Sequence, residues 1–162
     1  MPFEVTALAA FAGAALPEET ADSYRGNALL KARTAARLAG AWGLGDDSGL
    51  EVDALGGAPG VQSARYGGPG LDDAGRVARL LESLAAVPPE KRTARFRCVI
   101  AVVEPDGREH FAEGVVEGVI AAAPRGTGGF GYDPLFVVAG DGRTMAELSA
   151  AEIGRASCRE RV

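Results

Sequence analysis

The chain has 162 residues, of which 47% are apolar and 24% charged, and a formal net charge of −5. That suits one domain with a real core, excludes a disordered composition, and makes non-specific binding to nucleic acid unfavourable. No apolar run approaches the roughly 20 residues of a membrane span and no secretory leader is visible, so the expectation is a cytoplasmic protein with neither nucleic acid nor membrane as partner.

In chain order, "PFEVTAL" alternates Phe3, Val5 and Ala7 and predicts a short strand. "DSYRGNALLKARTAARLAG" predicts a helix that Asp22 or Ser23 caps and Gly40 stops, with Ala28, Leu29, Ala32, Ala35, Ala36 and Ala39 on its apolar face. "AWGLG" and "GLEVDAL" predict two short strands on either side of Asp46-Asp47. "GGAPG" is a turn. "LDDAGRVARLLESLAAVPP" predicts a second helix, with Val77, Leu80, Leu81 and Leu84 at helical spacing and Pro88-Pro89 ending it. "TARFRCVIAVVE" is a half-buried strand that "PDG" turns into an antiparallel partner, "HFAEGVVEGVIAA". A glycine-rich loop, "PRGTGGFGYDP", leads to a strand, "LFVV", and "TMAE" and "SAAE" have the form of capping boxes. Strands mixed with helices predict an α/β or α+β fold built on a mixed sheet.

Three clusters offer chemistry. Glu18-Glu19 and Asp46-Asp47 supply hard oxygens of the kind Mg²⁺ takes, although Asp46-Asp47 also fits an Asx-turn. Neighbouring strand residues face opposite ways, so one aspartate points to a cleft and the other can hold a lysine or a backbone N–H. Asn27 and Lys31 are four apart on one helix face, where they either position a phosphate, orient a carboxylate, or simply lie in solvent. Thr127, Gly128, Gly129 and Gly131 let backbone approach a ligand, and Phe130 and Tyr132 offer rings to a base; a structural Ω-loop fits the same residues. His110, in an alternating strand, reads as an ordinary sheet residue, and no Ser-His-Asp set forms around it. Cys98 reads as a core residue, and with Cys158 it makes no disulfide framework and no Cys/His metal site. Neither a P-loop nor a dinucleotide fingerprint is present. Arginine outnumbers lysine fifteen to two, which with the abundant Ala and Gly reflects GC-rich coding.

Together, "EET…NALLKA…DDSGLEVDALGGAPGVQSARYGG…GTGGFGYDPLF…TMAELS" resembles the inosine triphosphate pyrophosphatase family, the XTP/dITP diphosphatases, from Pro2 to Glu152. The resemblance implies Mg²⁺-dependent hydrolysis of ITP, dITP and XTP to the monophosphate and pyrophosphate. It implies a long mixed sheet in two lobes with a central cleft, and a homodimer. It also implies that Asp47 is the general base, that Glu19 and Asp47 are metal ligands, and that Ser48 contacts substrate. Phe130, Gly131, Tyr132 and Asp133 then line the nucleotide site, and Asn27, Lys31 and Asp46 support it. The competing expectations are a Maf-like pyrophosphatase of other base specificity and a nucleotide-binding chain that does not cleave.

Two departures from the family pattern shape further expectations. The family's first strand, with its "T-x-N-x-x-K" loop, has no counterpart here. Beyond "AELS" the family's "K-x-x-I-S-H-R" segment and last helix are replaced by "IGRASCRERV", which written back as codons resembles a sequencing adapter. The expectation is a domain over 1–152 that is incomplete at both ends, a non-native tail over 153–162, and weak hydrolysis by this chain.

Overall fold

The computed structural model describes residues 4–156. Four strands form one sheet in the order β1-β2-β3-β4: β1 is Gly43–Val52, β2 Thr93–Val103, β3 Glu109–Ile120 and β4 Phe136–Val138. β3 and β4 are antiparallel, with Gly118 opposite Val138 and Ile120 opposite Phe136. The helices are α1, Tyr24–Ala39, α2, Asp73–Ser83, and α3, Ala150–Ala156. Helices and strands are mixed in one chain, within the α/β or α+β range that the element order predicts.

Local chemistry sets the helix ends. The Ser23 side chain accepts the Gly26 N–H at the start of α1, and Gly40 closes it at φ 60°. The Asp72 carboxylate accepts the Gly75 N–H at the start of α2. Both predicted capping boxes form: the Thr144 N–H donates to Glu147 and the Ser149 N–H donates to Glu152.

The early strands differ from expectation. Of "PFEVTAL", Pro2 and Phe3 lie outside the described residues. Glu4 to Ala7 form no strand, and Leu8–Ala10 is a 3-10 turn. Val5 is 90% exposed, and alternation alone does not make a strand without a neighbour to pack against. The two short strands expected around Asp46-Asp47 are one ten-residue strand, β1. It ends at Val52, and Asp53–Leu55 forms a 3-10 turn. The predicted tail falls partly outside the described residues, which stop at Ala156; Ile153 packs against the apolar core.

The chain divides into two compact units, the first comprising Met1–Asp47 and Val99–Glu113 and the second Ser48–Cys98 and Gly114–Val162. In the first, α1 lies directly on the backbone of β1. Ala28 and Ala32 have no exposed surface. A β-carbon on Gly45 would stand 2.5 Å from both the Ala28 carbonyl oxygen and the Ala32 nitrogen, and one on Gly43 would collide with the backbone of Ala32 and Ala36. The Arg25 guanidinium, 3.7 Å above the Phe111 ring, and an Arg33–Glu109 ion pair tie α1 to β3. The second unit holds an apolar cluster that includes Leu50, Leu80, Leu84, Phe96, Leu135 and Phe136, with the Phe96 and Phe136 rings 4.6 Å apart between centroids.

Candidate active site

The first unit brings Glu19, Asn27, Lys31, Asp46 and Asp47 together. Close packing of α1 on β1 sets Asn27 and Lys31, one turn apart, beside the two aspartates. Asp47 lies mid-strand and only 7% exposed, while Asp46 points to solvent. An extended strand leaves no place for the Asx-turn. Asn27 is fully buried and bridges two segments: its Oδ1 accepts the Ala21 N–H at 3.0 Å, and its Nδ2 donates to Asp47 Oδ2 at 3.0 Å. Lys31 Nζ lies 2.7 Å from Glu19 Oε1, 2.8 Å from the Asp46 carbonyl oxygen and 3.5 Å from Asp47 Oδ1. The lysine therefore reaches Asp46 only through its backbone, and its carboxylate partners are Glu19 and Asp47.

These contacts decide the proton affinities. Burial pushes the Asp47 carboxyl above the usual aspartate range, against the Asn27 hydrogen bond and the Lys31 charge that favour ionisation. Burial works against the Lys31 ammonium, yet the Glu19 hydrogen bond and the Asp47 charge outweigh it and hold Lys31 above the ordinary lysine value. Lys31 is a cation at neutral pH, and Asp47 is more basic than a surface carboxylate.

Whether a divalent metal fits depends on the donor set. Among the described residues no group of three or more His, Cys, Asp and Glu side chains is arranged to hold a metal ion. Glu19 and Asp47 are nonetheless two carboxylates already converging on one cation, the Lys31 ammonium. Two carboxylates, with phosphate oxygens and water completing the shell, are the usual protein share of a Mg²⁺ site. The residues fit a metal that arrives with a phosphate ligand.

The glycine-rich loop belongs to the second unit, and its residues separate by role. Tyr132 is 4% exposed, and its hydroxyl donates to the Ser63 carbonyl at 2.8 Å. Its ring is part of the apolar core. Asp133 is 2% exposed and accepts the Phe130 N–H at 3.0 Å, which makes it the brace of the loop. Gly129 has φ 70°, and a β-carbon there would collide with the Asp133 carboxylate, so only glycine fits. Phe130 is 67% exposed and presents its ring. Phe130 and Gly131 help line an apolar groove of about 460 Å³ against Val77, Ala78 and Leu81. Ser48, half-buried, follows Asp47 in β1 and faces the other way.

Sequence reasoning missed the residues that hold this loop. Asp73 accepts the Gly131 N–H at 2.8 Å and pairs with Arg76. The Ser63 hydroxyl accepts the Leu50 N–H and donates to the Gly60 carbonyl. Asp73, in the first turn of α2, looked like a helix-start acid, and nothing local signals its second partner. His110 is a residue of β3 as expected, stacked on Trp42 and paired with Glu104 just beyond the end of β2.

Comparison with known proteins gives concordant matches. The Ham1 family matches over residues 1–162. A dITP/XTP pyrophosphatase of Symbiobacterium thermophilum is 57% identical over 143 residues, covering 88% of this chain and 71% of that protein. One of Geobacter sulfurreducens is 51% identical over 148 residues, covering 91% and 74%. Among solved structures, a nucleoside-triphosphatase / dITP/XTP pyrophosphatase of Mycobacterium abscessus is similar with a TM-score of 0.82 and 44% identity, over 98% of this chain and 81% of that one. A HAM1 protein of Coxiella burnetii gives 0.81 and 45%, over 88% and 74%.

Proposed function

This chain belongs to the Ham1 family, and we propose that it hydrolyses deaminated purine nucleoside triphosphates, ITP, dITP and XTP, to the monophosphate and pyrophosphate. One observation carries the reading: the nearly buried Asp47 has one carboxylate oxygen held by Asn27 and the other by Lys31, beside a second carboxylate, Glu19.

Attack on the α-phosphorus needs a water that loses its proton as it attacks. Asp47 accepts that proton. Burial makes it a better base than an ordinary carboxylate, and its two donors fix its orientation. Glu19 and Asp47 would hold a Mg²⁺, which supplies neutralisation of the phosphate charge. Ser48, Phe130 and Gly131 contact the nucleotide, with the exposed Phe130 ring available for stacking on the base. Tyr132 and Asp133 act indirectly, by holding the loop. Preference for a 6-oxo purine comes from groups that pair with that oxygen and leave a 6-amino group unmatched. Homodimer assembly and a cytoplasmic location belong to the same proposal. Light scattering tests the first. No helix among the described residues is long and apolar enough to cross a membrane.

The test is Mg²⁺-dependent pyrophosphate release from ITP, XTP, dITP and GTP by the chain and by its Asp47→Asn variant. The first three substrates should outrun GTP, and the variant should lose roughly 10²–10⁴-fold in rate, the usual range for a general base. Unchanged release by the variant would remove Asp47 as the base. GTP cleaved as fast as ITP would remove the substrate class.

A further inference from the structure

Lys31 has no step in the reaction just described, yet it holds the centre of the cluster. Three oxygens converge on its ammonium: Glu19 Oε1 at 2.7 Å, the Asp46 carbonyl at 2.8 Å and Asp47 Oδ1 at 3.5 Å. All three are hard donors of the kind a divalent cation takes. A cation that took these same three oxygens would sit where this ammonium sits, and two cations a few ångströms apart in a partly buried site repel strongly.

We propose that Lys31 is a built-in competitor of the divalent metal, a tethered cation that keeps Glu19 and Asp47 together until the metal displaces it. The proposal rests on the metal-dependent reading above. The geometry permits the exchange. The Lys31 side chain starts against the strand, where a β-carbon on Gly45 would stand 2.6 Å from Lys31 Cβ, so the stem is anchored and only the outer torsions need turn. The three contacts are made by one group, so its withdrawal takes the same cation from both carboxylates at once, while Asn27 still holds Asp47. Metal alone meets this competition in full. An anionic ligand that draws the ammonium aside relieves it, which couples metal affinity to the presence of a polyphosphate.

The test reads binding, not turnover. Mn²⁺ affinity is measured by the loss of the free-ion electron paramagnetic signal, for the chain and for its Lys31→Met, Lys31→Arg and Lys31→Met/Glu19→Gln variants, with and without a non-hydrolysable ITP analogue. Without nucleotide, Lys31→Met should bind Mn²⁺ at least about tenfold more tightly, on the scale of one lost like-charge contact. Lys31→Arg should stay near the parent, and Glu19→Gln should cancel the gain. Unchanged or weaker binding by a folded Lys31→Met overturns the competition and leaves the metal reading standing. Mn²⁺ bound by no form, with or without the analogue, overturns the metal reading and the competition with it.

A second measurement needs no variant. Lys31 and Lys91 are the only lysines in the chain, so ¹³Cε-lysine labelling yields two cross-peaks. Saturating Mg²⁺ should move the Lys31 peak and leave that of the exposed Lys91 in place. A stationary Lys31 peak under bound metal also overturns the proposal.

Discussion

The two compact units position side chains by different means. In the second, bulk does it: Leu50, Leu80, Leu84, Leu135 and Phe136 have no exposed surface and belong to one cluster. In the first, the contact between α1 and β1 is made by Ala28, Ala32, Gly43 and Gly45, with Asn27 and Asp47 buried beside them. Small residues bury little apolar area, and buried polar groups contribute only if every partner is in place. What this packing supplies is proximity. A helix whose backbone touches the strand brings Asn27 and Lys31 within bonding distance of Asp47. Apolar bulk holds the Phe130–Asp133 loop, and closeness holds the charged cluster.

The largest expected effect tests the bulk side. Leu80→Ala should lower Tm by about 10 °C, from a loss of roughly 2–5 kcal/mol typical of a fully buried leucine. Leu44→Ala, at a position 48% exposed, should shift it by no more than about 2 °C. Equal shifts would abolish the contrast. Next comes Gly45→Ala, whose methyl has nowhere to go but into the α1 backbone. Overpacking of this kind costs about 1–3 kcal/mol, but pyrophosphate release should fall further than Tm does, because Asn27 and Lys31 ride on the displaced helix. Loss of stability with normal turnover would mean that the cluster does not depend on the close approach. Hydrogen exchange offers a gentler test: amides of α1 should exchange through smaller openings than those of β2 at Ala94 and Phe96, which are buried in the second unit's core.

What the sequence disclosed follows the same division. Local signals were legible: Ser23, Gly40, Asp72, Thr144 and Ser149 mark helix ends by chemistry that needs no tertiary partner. The single strand β1 was not, because its buried residues are odd-numbered through Gly49 and even-numbered from Leu50. A pattern of period two that slips by one residue reads as two short strands. β2 slips in the same way between Cys98 and Val99, yet its longer apolar run hid the slip. The cluster was legible as a set of residue types, Glu19, Asn27, Lys31 and Asp47, but not as a wiring. Lys31 looked like a partner for the Asp46 side chain, and only the docking of α1 on β1 shows that it bonds that residue's carbonyl. Tyr132 and Asp133 share a motif with Phe130, and no spacing rule distinguishes a core ring from a presented one.

The smallest effect is the most direct probe of the cluster. Burial raises the Asp47 pKa in the folded chain above 3.8, the ordinary aspartate value. The folded state therefore binds this proton more tightly than the unfolded one. The resulting stabilisation is complete below 3.8 and is lost as pH rises through the folded value, so at neutral pH the ionised Asp47 weakens the fold. Asp47→Asn removes the charge and keeps an oxygen to accept the Asn27 N–H, while Lys31 retains Glu19 and the Asp46 carbonyl. Tm at pH 7 should rise, in the same variant that loses hydrolysis, and the gain should shrink as pH falls toward 3.8. A lower Tm at pH 7 would mean that the attraction between Lys31 and Asp47 outweighs the burial of the charge. The cluster would then be holding α1 on β1, instead of being held by their packing.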